Sequence, residues 1–149
     1  MNPQKIKLLT IFFSLSIFII SLTQSAFKAE FNNSNHMESL HCFLMGSIAF
    51  LGGGLLEEII WMANPIALLS IFLLLKGNKN ALTFAFIAFV IALSFSLWKK
   101  VLKSESGSQM QIISLEEGYY LWILSIAILL IGNILYFQKI KFPDKINIA

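Results

Sequence analysis

The sequence predicts an all-α protein: a polytopic membrane helical bundle of four spans plus one interfacial or re-entrant helix, with five spans as the alternative. Three observations carry that expectation. Of 149 residues, 57% are hydrophobic and 13% charged, about half the charged share of an average soluble domain. Mean hydropathy is +0.77. The uncharged runs Leu8–Phe27, Ser39–Leu56, Ile59–Leu75, Asn80–Trp98 and Gly118–Gln138 all reach the roughly 17–25 residues of a spanning helix. This composition excludes a disordered tail protein, a disulfide scaffold and a conventional soluble enzyme. The length suits one integral membrane domain over residues 1–149, with spans at about 8–27, 55–75, 80–98 and 118–138 and the interfacial helix at about 40–51.

The first run follows Lys5 and Lys7, and Pro3 suits a first helical turn. A basic start, an apolar stretch and Thr23-Gln24-Ser25 also make the grammar of a secretory signal. As a cleavage site that tripeptide is mediocre, so the segment is expected to stay as a span. Residues 24–39, with Asn32, Asn33, Ser34 and Asn35, are expected as a polar loop.

Leu40–Leu75 is interrupted only by Glu57 and Glu58. A straight helix of that length would reach about 54 Å, longer than a bilayer with its headgroups. It must break. A break at Gly52-Gly53-Gly54 leaves a short interfacial helix and a span over Leu55–Leu75, kinked at Pro65. A break near Trp61–Pro65, with Asn64 capping and Pro65 opening the next helix, makes five spans.

Lys-Gly-Asn-Lys-Asn at 76–80 reads as a tight turn. In the next span Ala81, Ala85, Ala88, Ala92 and Ser96 fall on one stripe, a seam for close helix packing. Residues 99–117 read as a mixed-charge loop. Ser114-x-x-Glu117 fits a capping box that starts the last span. There Tyr119, Tyr120 and Trp122 mark one interface and Tyr136 the other, about 26 Å apart at helical rise.

Lysine placement favours four spans. With a cytoplasmic N-terminus, Lys5, Lys7, Lys76, Lys79, Lys139, Lys141 and Lys145 lie inside, against Lys28, Lys99, Lys100 and Lys103 outside. Five spans reverse the majority. All eleven basic residues are Lys. With no guanidinium fork for phosphate or bases, no nucleic-acid partner is expected. A single cysteine, Cys42, cannot close an intrachain disulfide.

Glu57 and Glu58 are the first candidates for chemistry, because carboxylates within an apolar stretch are costly and mark ion, proton or substrate sites. Two wet charges in an interfacial first turn are the plainer alternative. Trp61 and Asn64 stand beside them: Asn64, like Asn133, is an amide in an apolar run, suited to hydrogen-bonding a neighbouring helix. Trp61 and Trp98 suit interfacial anchors. His36, Glu38, His41 and Cys42 are metal-capable, but the two His are five apart, off the i,i+4 spacing of helical zinc sites. No metal or other cofactor is expected.

Two segments, Trp61-x-Ala63-Asn64-Pro65 and Gly118-Tyr119-Tyr120-Leu121-Trp122, resemble a loose set of small multi-pass bacterial membrane proteins of uncharacterised activity. The resemblance covers residues from about 42 to 137 and does not extend to Glu57-Glu58. It implies a bacterial cytoplasmic membrane protein and no particular activity. The bilayer is the expected partner, joined by a membrane protein or a second copy of the chain.

Three function classes follow in order. A non-enzymatic interaction, accessory or immunity-type protein comes first, on small size and the small-residue seam. A small transporter or channel using Glu57 or Glu58 as a proton or cation site is the alternative. A membrane-embedded enzyme comes last, because no nucleophile or metal spacing supports it.

Overall fold

The computed structural model describes residues 2–30, 36–102 and 108–141. Asn32, Asn33, Ser34 and Asn35 of the expected loop, with Lys103 and Lys145, lie outside the described residues. The protein is mostly helical, and four helices are long and apolar enough to cross a membrane: Pro3–Ser21, Leu55–Leu75, Asn80–Leu97 and Glu117–Lys141.

Helix α1 (Pro3–Ser21) opens with the Asn2 side chain accepting from Gln4 N at 3.0 Å. It starts before the expected Leu8 and ends before Phe27. Thr23-Gln24-Ser25 turns the chain into strand β1 (Ser25–Ala29), which pairs with β2 (His36–Glu38). Helix α2 (Ser39–Gly46) and a 3₁₀ turn (Ala49–Gly52) follow, so the expected interfacial helix is two short pieces. The chain reverses at Gly53, whose φ of 83° requires glycine.

Helix α3 (Leu55–Trp61) runs into α4 (Ala63–Leu75) with an interruption at Met62. The expected kink at Pro65 is thus expressed upstream. Proline lacks the N–H that Trp61 O would accept, and its ring crowds that carbonyl. Helix α5 (Asn80–Ser94) ends in a 3₁₀ turn (Phe95–Leu97). Strands β3 (Lys100–Leu102) and β4 (Gln109–Leu115) then lead to helix α6 (Glu117–Lys141).

The all-α expectation is corrected here. The two segments read as loops form one antiparallel sheet in the order β2-β1-β4-β3. Phe27 pairs with Leu115 and Val101 with Met110. Both segments cap the same end of the bundle, because α1 and α5 deliver the chain there while α3–α4 and α6 carry it away. The capping box is corrected too: Ser114 lies in β4 opposite Lys28, and Glu116 O accepts the first helical amides of α6, from Tyr119 and Tyr120.

Polarity is inverted relative to a water-soluble fold. Leu8, Phe12, Leu68, Phe72, Phe86 and Ile131 face outward, each more than half exposed. Thr10, Ser14, Ser70, Ser125 and Asn133 are buried inside. Where lipid solvates the exterior, small and hydrogen-bonding residues hold helices together. Ser14 Oγ donates to Ser125 O at 2.9 Å across α1–α6. Ser70 Oγ donates to Ala81 O at 2.8 Å across α4–α5, and Asn133 Nδ2 donates to Leu129 O at 2.8 Å.

Ala81, Ala85, Ala88 and Ala92 are fully buried against α4 and α6. Ser96 is exposed: it sits in the 3₁₀ turn, whose tighter winding takes it off the stripe, and donates to Leu93 O. The four-alanine seam is therefore consumed within the chain. At the opposite end from the sheet, Lys7 Nζ donates to Leu75 O at 3.2 Å and lies 5.8 Å from the Tyr136 ring. The starts and ends of three helices meet there.

Thr10 on α1 packs directly on Gly132 of α6, where an added Cβ would collide with the threonine side chain. Gly132→Ala is expected to destabilise the bundle by about 1–3 kcal/mol, seen as a lower Tm in mild detergent. Thr10→Ala in the same chain should recover part of the loss. An unchanged Tm for Gly132→Ala would contradict this crossing.

Candidate functional site

The sheet end holds a cavity of about 500 Å³ between the end of α1, the sheet, α2, α3 and the start of α6. Two rows of rings line it. Phe18 packs on Phe43, and Phe43 on Trp61. Phe27 packs on Phe95, Phe95 on Tyr119 and Tyr119 on Trp122.

Asn64 ties the rows together. Its Nδ2 donates to Trp61 O at 3.0 Å, substituting for the amide missing at Pro65. Its Oδ1 accepts from Trp122 Nε1 at 2.8 Å. Trp61 Nε1 donates in turn to Phe43 O at 2.8 Å, and its ring lies so close over Gly46 that a Cβ there would stand 2.6 Å from Cδ1. Trp61 and Asn64, adjacent to the acidic pair in sequence, thus build the wall. Asn64 bonds a neighbouring helix and caps none.

Glu57 lies in the first turn of α3, where the positive helix end favours a carboxylate. Its Oε1 accepts from Leu102 N at 2.8 Å, satisfying an amide on the free edge of β3. It lines the main cavity and also a smaller hollow of about 240 Å³ shared with Lys99 and Lys100. Glu58 is half-buried and points differently; its Oε2 has no hydrogen-bond partner among the described residues.

The metal-capable residues separate. His36 Nδ1–H donates to the Glu116 carboxylate at 2.8 Å, pinning β2 to the head of α6. The direction follows because an ionised carboxylate only accepts. His41 and Cys42 stand on the cavity wall. Among the described residues no three His, Cys, Asp or Glu side chains gather to hold a metal ion.

Sequence reasoning missed Ser39 and Gly118. The Ser39 hydroxyl is buried on the cavity lining without a hydrogen-bond partner among the described residues. Gly118 lets α6 start against it: a Cβ there would meet Ser39 Oγ and stand 2.7 Å from Ser25 O. The glycine opening Gly-Tyr-Tyr-Leu-Trp was the available signal. Compared with known proteins, the chain has no significant match to a protein-family model, a curated protein or a solved structure.

Asn64→Leu is expected to lower stability by about 1–2 kcal/mol, since the Trp61 carbonyl and the Trp122 indole both lose a partner. Trp122→Phe should cost less, and the double variant no more than Asn64→Leu alone. Strictly additive losses in thermal unfolding would contradict the bond.

Burial pushes the Cys42 thiol up to about 11, outweighing its backbone hydrogen bond, which acts to lower it. A raised thiol pKa leaves the neutral, unreactive form dominant at neutral and mildly alkaline pH. Maleimide labelling at pH 8 should therefore be at least about tenfold slower in the folded protein than in the unfolded chain, and should accelerate toward pH 11. Equal rates at pH 8 would contradict it.

Proposed function

We propose that the chain is a non-enzymatic accessory or immunity-type protein of the bacterial cytoplasmic membrane, multi-pass with a cytoplasmic N-terminus. It acts by engaging a membrane protein or a second copy of itself. Its likeness to small multi-pass bacterial membrane proteins, through the Trp61–Pro65 and Gly118–Trp122 segments, belongs to the same proposal.

The observation that carries it is the sheet. The sheet stands at one end of the bundle and is fixed to it by the His36–Glu116 and Glu57–Leu102 contacts. On its central strand β4, Ile113 is 57% exposed between the exposed Gln111 and Ser114. An apolar residue on a rigid polar platform suits a protein contact. The α5 seam no longer supports the reading, because it packs inside the chain. Orientation rests on Lys7 and Lys76, which lie with Tyr136 and Phe72 at the end away from the sheet.

A second reading, a transporter or channel, draws on Glu57 at the cavity wall. Below the cavity, however, the helices close on the fully buried Leu74, Ala81, Ala85 and Leu129, and the polar side chains buried beside them, Ser70 and Asn133, carry no ionisable group to relay a proton.

Purification in mild detergent should yield a partner at fixed stoichiometry or a defined oligomer, lost in Ile113→Lys with an unchanged Tm. A monomer without partner would overturn the first reading. Proton or cation flux in liposomes that disappears in Glu57→Gln, Glu58→Gln would move the assignment to the second.

A further inference from the structure

We propose that the cavity beneath the sheet binds an amphiphilic organic cation, an apolar body carrying one ammonium group. This goes beyond the proposed function and stands whether or not the chain has a protein partner. Three features of the cavity point to that chemistry.

The first is size and polarity. About 500 Å³ of space falls within the roughly 300–1,000 Å³ of small-molecule sites, which are mostly apolar with a few placed polar groups. The second is the rings. Phe27, Phe43, Trp61, Phe95, Tyr119 and Trp122 all reach the lining, and aromatic faces attract cations while their bodies pack on hydrocarbon. Indole and phenol hydrogens do not compete for the ligand's charge, because Trp61, Trp122 and Tyr119 donate to Phe43 O, Asn64 Oδ1 and Ala92 O.

The third is the charge. Among the described residues the lining contains one carboxylate, Glu57, and no lysine. Leu102 N occupies Oε1, and no ion pair neutralises Glu57 among the described residues. Lys99 and Lys100 share the smaller hollow with Glu57 but are not on the cavity lining; in the cavity's largely apolar wall the carboxylate attracts a cation more strongly than it would in water. An anionic amphiphile would meet like charge there.

The ammonium can belong to a free alkylamine or to the headgroup of an ethanolamine lipid. The test uses the full chain in dodecyl maltoside, titrated by calorimetry with octylammonium, octanol and octanoate, which share one apolar chain. Octylammonium should saturate at one per chain and bind at least about tenfold tighter than octanol, with octanoate weakest. In Glu57→Gln, which keeps an acceptor for Leu102 N, the advantage of octylammonium over octanol should fall to about twofold or less.

Equal binding of octylammonium and octanol by the parent protein would overturn the proposal, and that comparison needs no variant. An undiminished advantage in folded Glu57→Gln would overturn it as well. Added phosphatidylethanolamine, with phosphatidylglycerol as control, separates the sources. Competition by the ethanolamine lipid alone assigns the site to a lipid headgroup, and no competition assigns it to a free amine.

Discussion

A proline inside an apolar helix strips one amide from the backbone, and lipid offers nothing to replace it. In this protein Asn64 supplies the substitute from the adjacent position. Its Nδ2 donates to the Trp61 carbonyl, and its Oδ1 is then held in place to accept from Trp122 on α6. The interruption of the second span and the docking of the last span are thus one event. Two contacts at the sheet end are made from α3, just before that interruption. Trp61 is placed over Gly46, which seats α2, and Glu57 reaches Leu102 N on the edge of β3.

Along the bundle, alanines on α5 and Thr10 and Ser14 on α1 let backbones approach closely, so dispersion and short hydrogen bonds hold the helices. Toward the sheet the wall residues are large rings, from Phe18 to Trp122, and the small pieces α2 and the 3₁₀ turn replace a full span. The cavity lies where rings from the long helices α1 and α6 meet rings from β1, α2, α3 and the 3₁₀ turn at Phe95.

Legibility from sequence divides along the same line. The four apolar helices were readable because length and polarity are local quantities. The α5 stripe was readable because its alanines keep helical spacing; only Ser96, beyond the helix proper, fell out of it. The matching stripe on α1, Ile6, Thr10, Ser14 and Ser21, stayed hidden among other Ser and Thr. Its meaning comes from Gly132 and Ser125 far along the chain. The sheet was missed for a related reason. Ser25–Ala29 and Gln109–Leu115 are too short and too mixed to declare strands alone, and each is stabilised by pairing with the other.

By itself the sequence determined the number of long apolar helices and their fitness to cross a membrane, the break at Gly52–Gly54 and the residues worth examining around Glu57. Those properties depend on hydrophobicity, periodicity and the conformational freedom of glycine, all of which act within a few residues. Only the tertiary structure decided that Asn64 joins two spans, that the loops form one sheet, that Glu57 caps its edge and that Ser39 packs on Gly118 at the head of α6. Those facts are contacts between groups far apart in the chain, and a contact energy exists only once the fold has brought both partners together.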